Sequence, residues 1–243
     1  IAKRTNTSVA SISRFCKKLG TSGFKEFKAQ LGTALNIHML SSNQNISDFI
    51  TEESTDIELL ERIGTLQKKA ISATQLSLST QLINQVVHEI ENSKEIYGIG
   101  ISDSFIKLID FQNKLLKINR FLKISFLQPE QTFLSAQSTS EDVAIVISYS
   151  GRSAEVVNAC KILVQRGTYI IALTSDLDSP VKKMADLVIP LPKTKETDEL
   201  RKSLFAEATV NFTINIIYAA LYRSNFKGNQ EYITLTKDKY LNK

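Results

Sequence analysis

The chain has 243 residues, 42% of them hydrophobic and 23% charged, with only four prolines and a formal net charge of +5. That length supports one large domain plus a small one, each with its own core, and the composition excludes collagen-like, low-complexity and disordered classes. Its longest apolar stretches, Val143–Ile147 and Ile214–Leu221, fall well short of the roughly 18 residues of a membrane span, so no membrane partner is expected. No secretory signal is expected, the sequence beginning at Ile1 without Met. Cys16 and Cys160 have no Cys or His at ligand spacing, and they read as reduced core thiols of a cytoplasmic protein, with no metal site and no cofactor expected.

In chain order, Ile1–Asn6 reads as the end of a short helix. Ser8 is a suitable N-cap for a helix over Val9–Leu19, and Gly20 is a suitable stop. Gly23 to about Met39 carries Phe24, Phe27, Leu31, Ala34 and Leu35 at helical spacing. Ser41–Thr55 is polar and aperiodic, a linker. Two amphipathic helices follow. The first runs over Asp56–Leu78 on Leu59, Leu60, Ile63, Leu66 and Ile71. The second runs over Thr80–Asn92 on Leu82, Ile83, Val86, Val87 and Ile90. From Glu95 short apolar strands alternate with helices. Strands are expected at Ile96–Ile99, Phe121–Phe126, Val143–Ser148, Tyr169–Thr174 and Leu187–Leu191. The intervening helices are Ser104–Ile118, with Ile106, Ile109, Leu115 and Leu116 inward, then Glu155–Gln165 and a short one from Pro180. A long helix, Asp198–Tyr222, closes the fold with Leu204, Ala208, Phe212 and Ile216 on one face. Such alternation predicts a central parallel sheet between helical layers, and the unbroken Val143–Ser148 run is that of a strand buried on both faces.

Charge is unevenly placed. Residues 1–35 hold seven Lys and Arg against Glu26 alone, so the whole basic excess sits in the first seventh of the chain. On a helical wheel Val9, Ile12, Phe15, Cys16 and Leu19 fall on one face, and Ala10, Ser13, Arg14 and Lys17 fall opposite, with Ser11 and Lys18 at the edge. A helix that reads a major groove needs this division, with small residues and donors outward. A basic amphipathic surface helix has the same pattern, so the pattern alone does not decide. The run from Ser8 does more: Ser8, Ser11, Ile12, Arg14, Phe15, Lys17, Lys18, Leu19, Gly20, Gly23, Phe24, Phe27 and Lys28 stand in the order and spacing of one known motif. Over some 31 residues it resembles the N-terminal helix-turn-helix of RpiR-type bacterial regulators. The resemblance implies that Ser8, Ser11, Ser13, Arg14, Lys17 and Lys18 face double-stranded operator DNA. It also implies that the sequence starts inside the second helix of an N-terminally truncated, all-α head.

In the body, Ser148-Tyr149-Ser150-Gly151-Arg152-Ser153 follows the buried strand directly and leads into a helix. A phosphate calls for several hydroxyl and N–H donors at a helix N-terminus, and Gly151 permits close backbone approach. Carboxyl ends of parallel strands are where open α/β sheets bind ligands. This S-x-S-G-x-S run resembles the signature of sugar-isomerase (SIS) domains, which bind phosphorylated sugars. By that resemblance Ser148, Ser150 and Ser153 hold the phosphate, Ser102 in the first-strand loop joins them, and Ser104 and Glu155 reach sugar hydroxyls. The implied fold is a three-layer α/β sandwich with a central parallel sheet, preceded by the small helical head. The expected domains are a head over 1–40, a linker and connecting helix over 41–78, the sugar-phosphate domain over 79–225 and a C-terminal tail over 226–243.

Two rival readings differ from this. Gly98-x-Gly100-x-x-Asp103 lacks the third glycine of a dinucleotide fingerprint. A sugar-phosphate isomerase or lyase of the same superfamily needs a base near the sugar carbon. His38 and His88 lie in the head-to-linker region and in the helix before the first strand, which leaves Glu155 as the candidate. A DNA-reading head on the same chain favours sensing over turnover. The expectation is a homodimeric or homotetrameric transcription regulator whose phosphosugar effector shifts its affinity for DNA.

Overall fold

The computed structural model describes residues 7–18, 21, 23–25, 27, 28, 49–194 and 198–241. The chain divides into two compact units, Ile1–Thr51 and Glu52–Lys243.

In the first unit, helix α1 spans Val9–Lys18. The Ser8 hydroxyl accepts the Ser11 N–H at 3.1 Å, which satisfies one of the unpaired donors at a helix start. Beyond the other end, the Thr21 hydroxyl donates to the Cys16 carbonyl at 2.7 Å. Of the face expected to pack inward, Cys16 is fully buried, whereas Val9 and Phe15 are exposed. Phe15 meets the Phe27 ring edge-on, with centroids 6.0 Å apart. Leu19, Gly20 and the expected segments over 1–6 and 29–48 lie outside the described residues.

The second unit opens with α2, Asp56–Ser77, started by a reciprocal capping box. Glu58 accepts the Thr55 N–H at 2.9 Å, and the Thr55 hydroxyl accepts the Glu58 N–H at 3.3 Å. Helix α3, Thr80–Asn92, is capped by Ser79. The alternating part then runs β1 (Ile96–Ile99), α4 (Asp103–Leu116), β2 (Leu122–Lys123), α5 (Gln131–Ala136), β3 (Val143–Ile147), α6 (Ala154–Arg166), β4 (Tyr169–Thr174), α7 (Pro180–Met184) and β5 (Leu187–Pro190). Helices α8 (Glu199–Ser224) and α9 (Phe226–Thr236) follow. The strands lie in the order β2-β1-β3-β4-β5, and every neighbouring pair is parallel.

Burial on both faces explains the unbroken apolar runs. Val143, Ile145 and Ile147 of β3 point into a core completed by Val86 and Ile90 of α3, Leu108 and Phe111 of α4, and Ile214 and Ile217 of α8. The alternate residues Ala144 and Val146 point the other way, to Val156, Ala159, Cys160 and Leu163 of α6 and Val181 of α7. This is the expected three-layer sandwich. Cys160 sits deep in the second core, and burial pushes its thiol up to about 12, so it is protonated at neutral pH.

Several element-level expectations are corrected. The strand read over Phe121–Phe126 shortens to Leu122–Lys123, because β2 is an edge strand pairing with β1 only at Ile96 and Tyr97. On α4 the inward residues are Phe105, Leu108, Phe111 and Leu115, whereas Ile106 and Leu116 are exposed. On α2, Leu66 is buried, but Leu60 and Ile71 are exposed. On α8, Leu204, Ala208, Phe212 and Ile216 are half-buried. The face that closes the core carries Phe205, Val210, Ile214, Ile217 and Leu221. By length and composition α8 also passes for a membrane-crossing helix, but its apolar face is used inside the body. The segment read as a tail is helical over Phe226–Thr236. Buried Asn229 ties it down, donating to the carbonyls of Leu221 and Tyr222 at 3.3 and 3.0 Å.

Candidate functional site

The strand order reverses between β1 and β3, since the chain continues to β2 on one side and to β4 and β5 on the other. A crevice outside the carboxyl ends of the strands at such a switch point is the usual ligand position in open α/β sheets. A cleft of about 340 Å³ lies there. Ser102 and Ser104 reach it from the β1–α4 loop, and Ser148, Ser150 and Ser153 from the β3–α6 loop. Five serines far apart in sequence are thus brought to one cavity.

Two of these serines open helices without capping them, as do Glu130 and Asn225 at α5 and α9, away from the cleft. Thr55, Ser79, Ser179 and Asp198 each accept a backbone N–H from their own helix. Ser102 and Ser153 open α4 and α6 and make no side-chain cap bond. At the cleft, then, the Ser102 and Ser153 hydroxyls make no cap bond, although the Ser104 and Phe105 N–H groups of α4 already donate to the Ile101 and Ser102 carbonyls at 3.1 and 2.9 Å. Both termini present positive dipole ends to the same space, which is the arrangement that binds an anion. Ser102 also holds φ at 51°, a conformation unusual for a residue with a Cβ. Ser148 is almost fully buried at the end of β3, and Ser150 accepts the Arg152 N–H at 3.3 Å.

Gly151 and Glu155 stand elsewhere. Neither is among the residues lining the cleft, and Glu155 is exposed in the first turn of α6. The base on which an isomerase reading depended is therefore outside the cavity. Gly151 has φ of 65°, and its N–H donates to the Ser148 carbonyl at 3.0 Å. A Cβ there would lie 2.2 Å from the Ser179 hydroxyl oxygen, so the packing beside the N-cap of α7 leaves room for glycine alone. Arg152 turns away to Asp176, with Nη2 at 2.7 Å from Oδ2. The Asp178 N–H and then Arg152 hold the Asp176 carboxyl below its ordinary range.

The sequence reading missed several residues of the cleft. Lys107 of α4 and Ser203, Glu207 and Val210 of α8 form its walls. Lys107 and Glu207 pair across it at 2.8 Å. Ser104 and Lys107 are three residues apart on one helix, a spacing that puts both on one face and was a usable signal. Tyr149 also lines the cleft, donating its hydroxyl to the Pro192 carbonyl at 2.7 Å, and burial raises its pKa. Among the described residues no group of three or more His, Cys, Asp or Glu stands together as a metal site.

On α1 in the other unit, Ser8, Ser11, Arg14, Lys17 and Lys18 are exposed and Ser13 is half-buried. The Ser8 and Ser11 hydroxyls are 2.9 Å apart and bonded to each other.

Fold and site together define a phosphosugar-isomerase-type α/β domain on a chain that begins with a basic helical unit. Residues 89–217 match the SIS domain model, and residues 1–38 match the helix-turn-helix domain of the rpiR family. An uncharacterised HTH-type transcriptional regulator of Haemophilus influenzae is 30% identical over 245 residues, covering 100% of this chain and 82% of the relative. Among solved structures, the Vibrio vulnificus NanR protein complexed with ManNAc-6P has a TM-score of 0.67 at 17% identity, covering 98% of this chain and 82% of that one. The sugar isomerase domain of an RpiR transcription factor from Sphaerobacter thermophilus has a TM-score of 0.65 at 17% identity, covering 74% and 99%. The chain belongs to the rpiR family of HTH-type transcriptional regulators with a SIS domain, and so with regulators rather than with the enzymes that share the fold.

Proposed function

We propose that the cleft binds a phosphorylated sugar and that its occupancy sets the affinity of the basic head for double-stranded operator DNA. The protein works as a homodimer or homotetramer, so that two heads engage paired half-sites. One observation carries the reading: Ser102 and Ser153 leave two helix N-termini uncapped at the same cavity. The phosphate is held by Ser148, Ser150 and Ser153 with Ser102 opposite, and Ser104 reaches the sugar. NanR, of the same overall fold, is complexed with ManNAc-6P, a phosphorylated sugar. Arg14, Lys17 and Lys18, with Ser8, Ser11 and Ser13, meet the DNA. The effector must bind the DNA-competent and incompetent arrangements with different affinity, since equal affinity shifts no equilibrium.

Thermal unfolding with ManNAc-6P, glucose 6-phosphate and arabinose 5-phosphate, each against its unphosphorylated sugar, tests the cradle. A ligand at 100 times its Kd stabilises the fold by about 2.7 kcal/mol. Equal stabilisation by sugar and sugar phosphate contradicts the reading.

A further inference from the structure

The cleft contains an ion pair that the phosphate cradle does not use. Lys107 and Glu207 stand on α4 and α8, the two helices that wall the cavity, with Nζ 2.8 Å from Oε1. The Lys107 side chain is only 15% exposed and the Glu207 side chain 52%. Ser104 lies one turn before Lys107, and Ser203 one turn before Glu207, on the same lining faces. The cation is therefore already neutralised by this chain's own carboxylate, while the second Glu207 oxygen makes no hydrogen bond to another described residue.

We infer that the Lys107–Glu207 pair selects the sugar end of the effector, accepting hydroxyl-bearing aldose phosphates and rejecting phosphorylated sugar acids. This rests on the phosphosugar reading of the cleft. A hydroxyl both donates and accepts, so it fits between a carboxylate and an ammonium and bonds to each. A ligand carboxylate in that position can only accept, and it meets Glu207 as a like charge. The same repulsion directs the phosphate to the serine loop and keeps the two ends of the ligand from exchanging places. Lys107 alone would attract any second anion, and Glu207 removes that attraction.

Isothermal titration of the full chain against matched pairs tests this: glucose 6-phosphate with 6-phosphogluconate, and arabinose 5-phosphate with its aldonate. Wild type binds at least one aldose phosphate ~10-fold or more tighter than its aldonate, the effect of one charge-assisted hydrogen bond. Glu207→Gln shifts that ratio ~10-fold or more toward the aldonate. Glu207→Asp retains the wild-type preference, and Lys107→Met weakens the aldose phosphate without gain for the aldonate. An unchanged ratio in Glu207→Gln, or a wild type that prefers the aldonate, overturns the inference. Ser150→Ala separates it from the cradle reading. If Ser150→Ala weakens both ligands alike and Glu207→Gln leaves the ratio intact, the pair's role falls alone. If Ser150→Ala does nothing while Glu207→Gln shifts the ratio, the cradle assignment falls and the pair's role stands. A wild type that binds no member of either pair overturns both.

Discussion

The side-chain amide of Gln131 and the backbone of Gly100 exchange two hydrogen bonds. Gln131 Nε2 donates to the Gly100 carbonyl at 2.8 Å, and its Oε1 accepts the Gly100 N–H at 3.1 Å. Gln131 is buried at the start of α5 and does not line the cleft. It thus pins the loop that carries Ser102 from behind. Gln131→Leu leaves two buried backbone groups unpaired, at a cost of about 1–3 kcal/mol each. The expected result is reduced stability in urea unfolding together with weaker phosphosugar binding by titration. Unchanged affinity in a folded variant would show that the loop needs no such support.

Gly151 and Ser179 make a second prediction. Gly151→Ala meets both the positive φ and the Ser179 side chain, whose Cβ would be 2.5 Å and Oγ 2.2 Å from the new methyl. The left-handed conformation alone costs roughly 1–2 kcal/mol, so the total loss should exceed that. Gly151→Ala combined with Ser179→Gly removes the clash but keeps the φ penalty and loses the Ser179 cap on Lys182. A double variant less stable than Gly151→Ala alone, by thermal denaturation, would mean that the clash is absorbed elsewhere.

The uncapped serines predict a separation of stability from affinity. Ser153→Ala removes a hydroxyl that makes no cap bond, so stability should stay within ~0.5 kcal/mol of wild type, as for an unpartnered surface position. Phosphosugar affinity should fall ~10- to 100-fold. Ser79→Ala removes the hydroxyl that accepts the Leu82 N–H; it should cost about 0.5–2 kcal/mol of stability and leave affinity intact. The same loss of stability in both variants, with affinity unchanged, would place Ser153 in a structural role.

For the head, Arg14→Ala and Lys17→Ala should each weaken binding to operator DNA, measured by anisotropy at fixed salt, without altering phosphosugar affinity. If Arg14 reads a base, its loss costs about 1–3 kcal/mol and relaxes one position of the site. If Lys17 meets a phosphate, its loss weakens all sequences alike and lowers the salt dependence. Neither substitution changing DNA affinity would remove α1 from the interface.

What could be read from the sequence was local. Ser148–Ser153 follows a buried strand in the same stretch of chain, so strand, loop and helix start were visible together. The capping bonds of Thr55, Glu58 and Ser79 at the starts of α2 and α3 likewise span only three residues, although the apolar spacing alone set those starts in the sequence. Lys107 and Glu207 are 100 residues apart, and Gln131 is 31 from Gly100; no window of periodicity relates them. Helix α4 carries apolar residues on adjacent positions, Phe105 with Ile106 and Leu115 with Leu116, so the pattern alone did not choose the buried face. On α8, two threonines, Thr209 and Thr213, lie fully buried. Each donates its hydroxyl to a carbonyl of its own helix, which lets a polar letter occupy a core position and hides the true face.

The closure of the sheet by α8 has a consequence for synthesis. The sheet face bearing Ile145, Ile171 and Ile189 is covered in part by Val210, Ile214, Ile217 and Leu221, which are among the last residues of the body to leave the ribosome. Long-range closure of this kind is slow, and the incomplete intermediate exposes apolar surface. A reading-frame stop before α8 therefore leaves that side of the sheet covered only by α3 and α4. Apolar surface exposed in this way favours aggregation or proteolysis of such a fragment. Ribosome-bound chains of increasing length should become protease-resistant in the body only once residue 221 has cleared the exit tunnel.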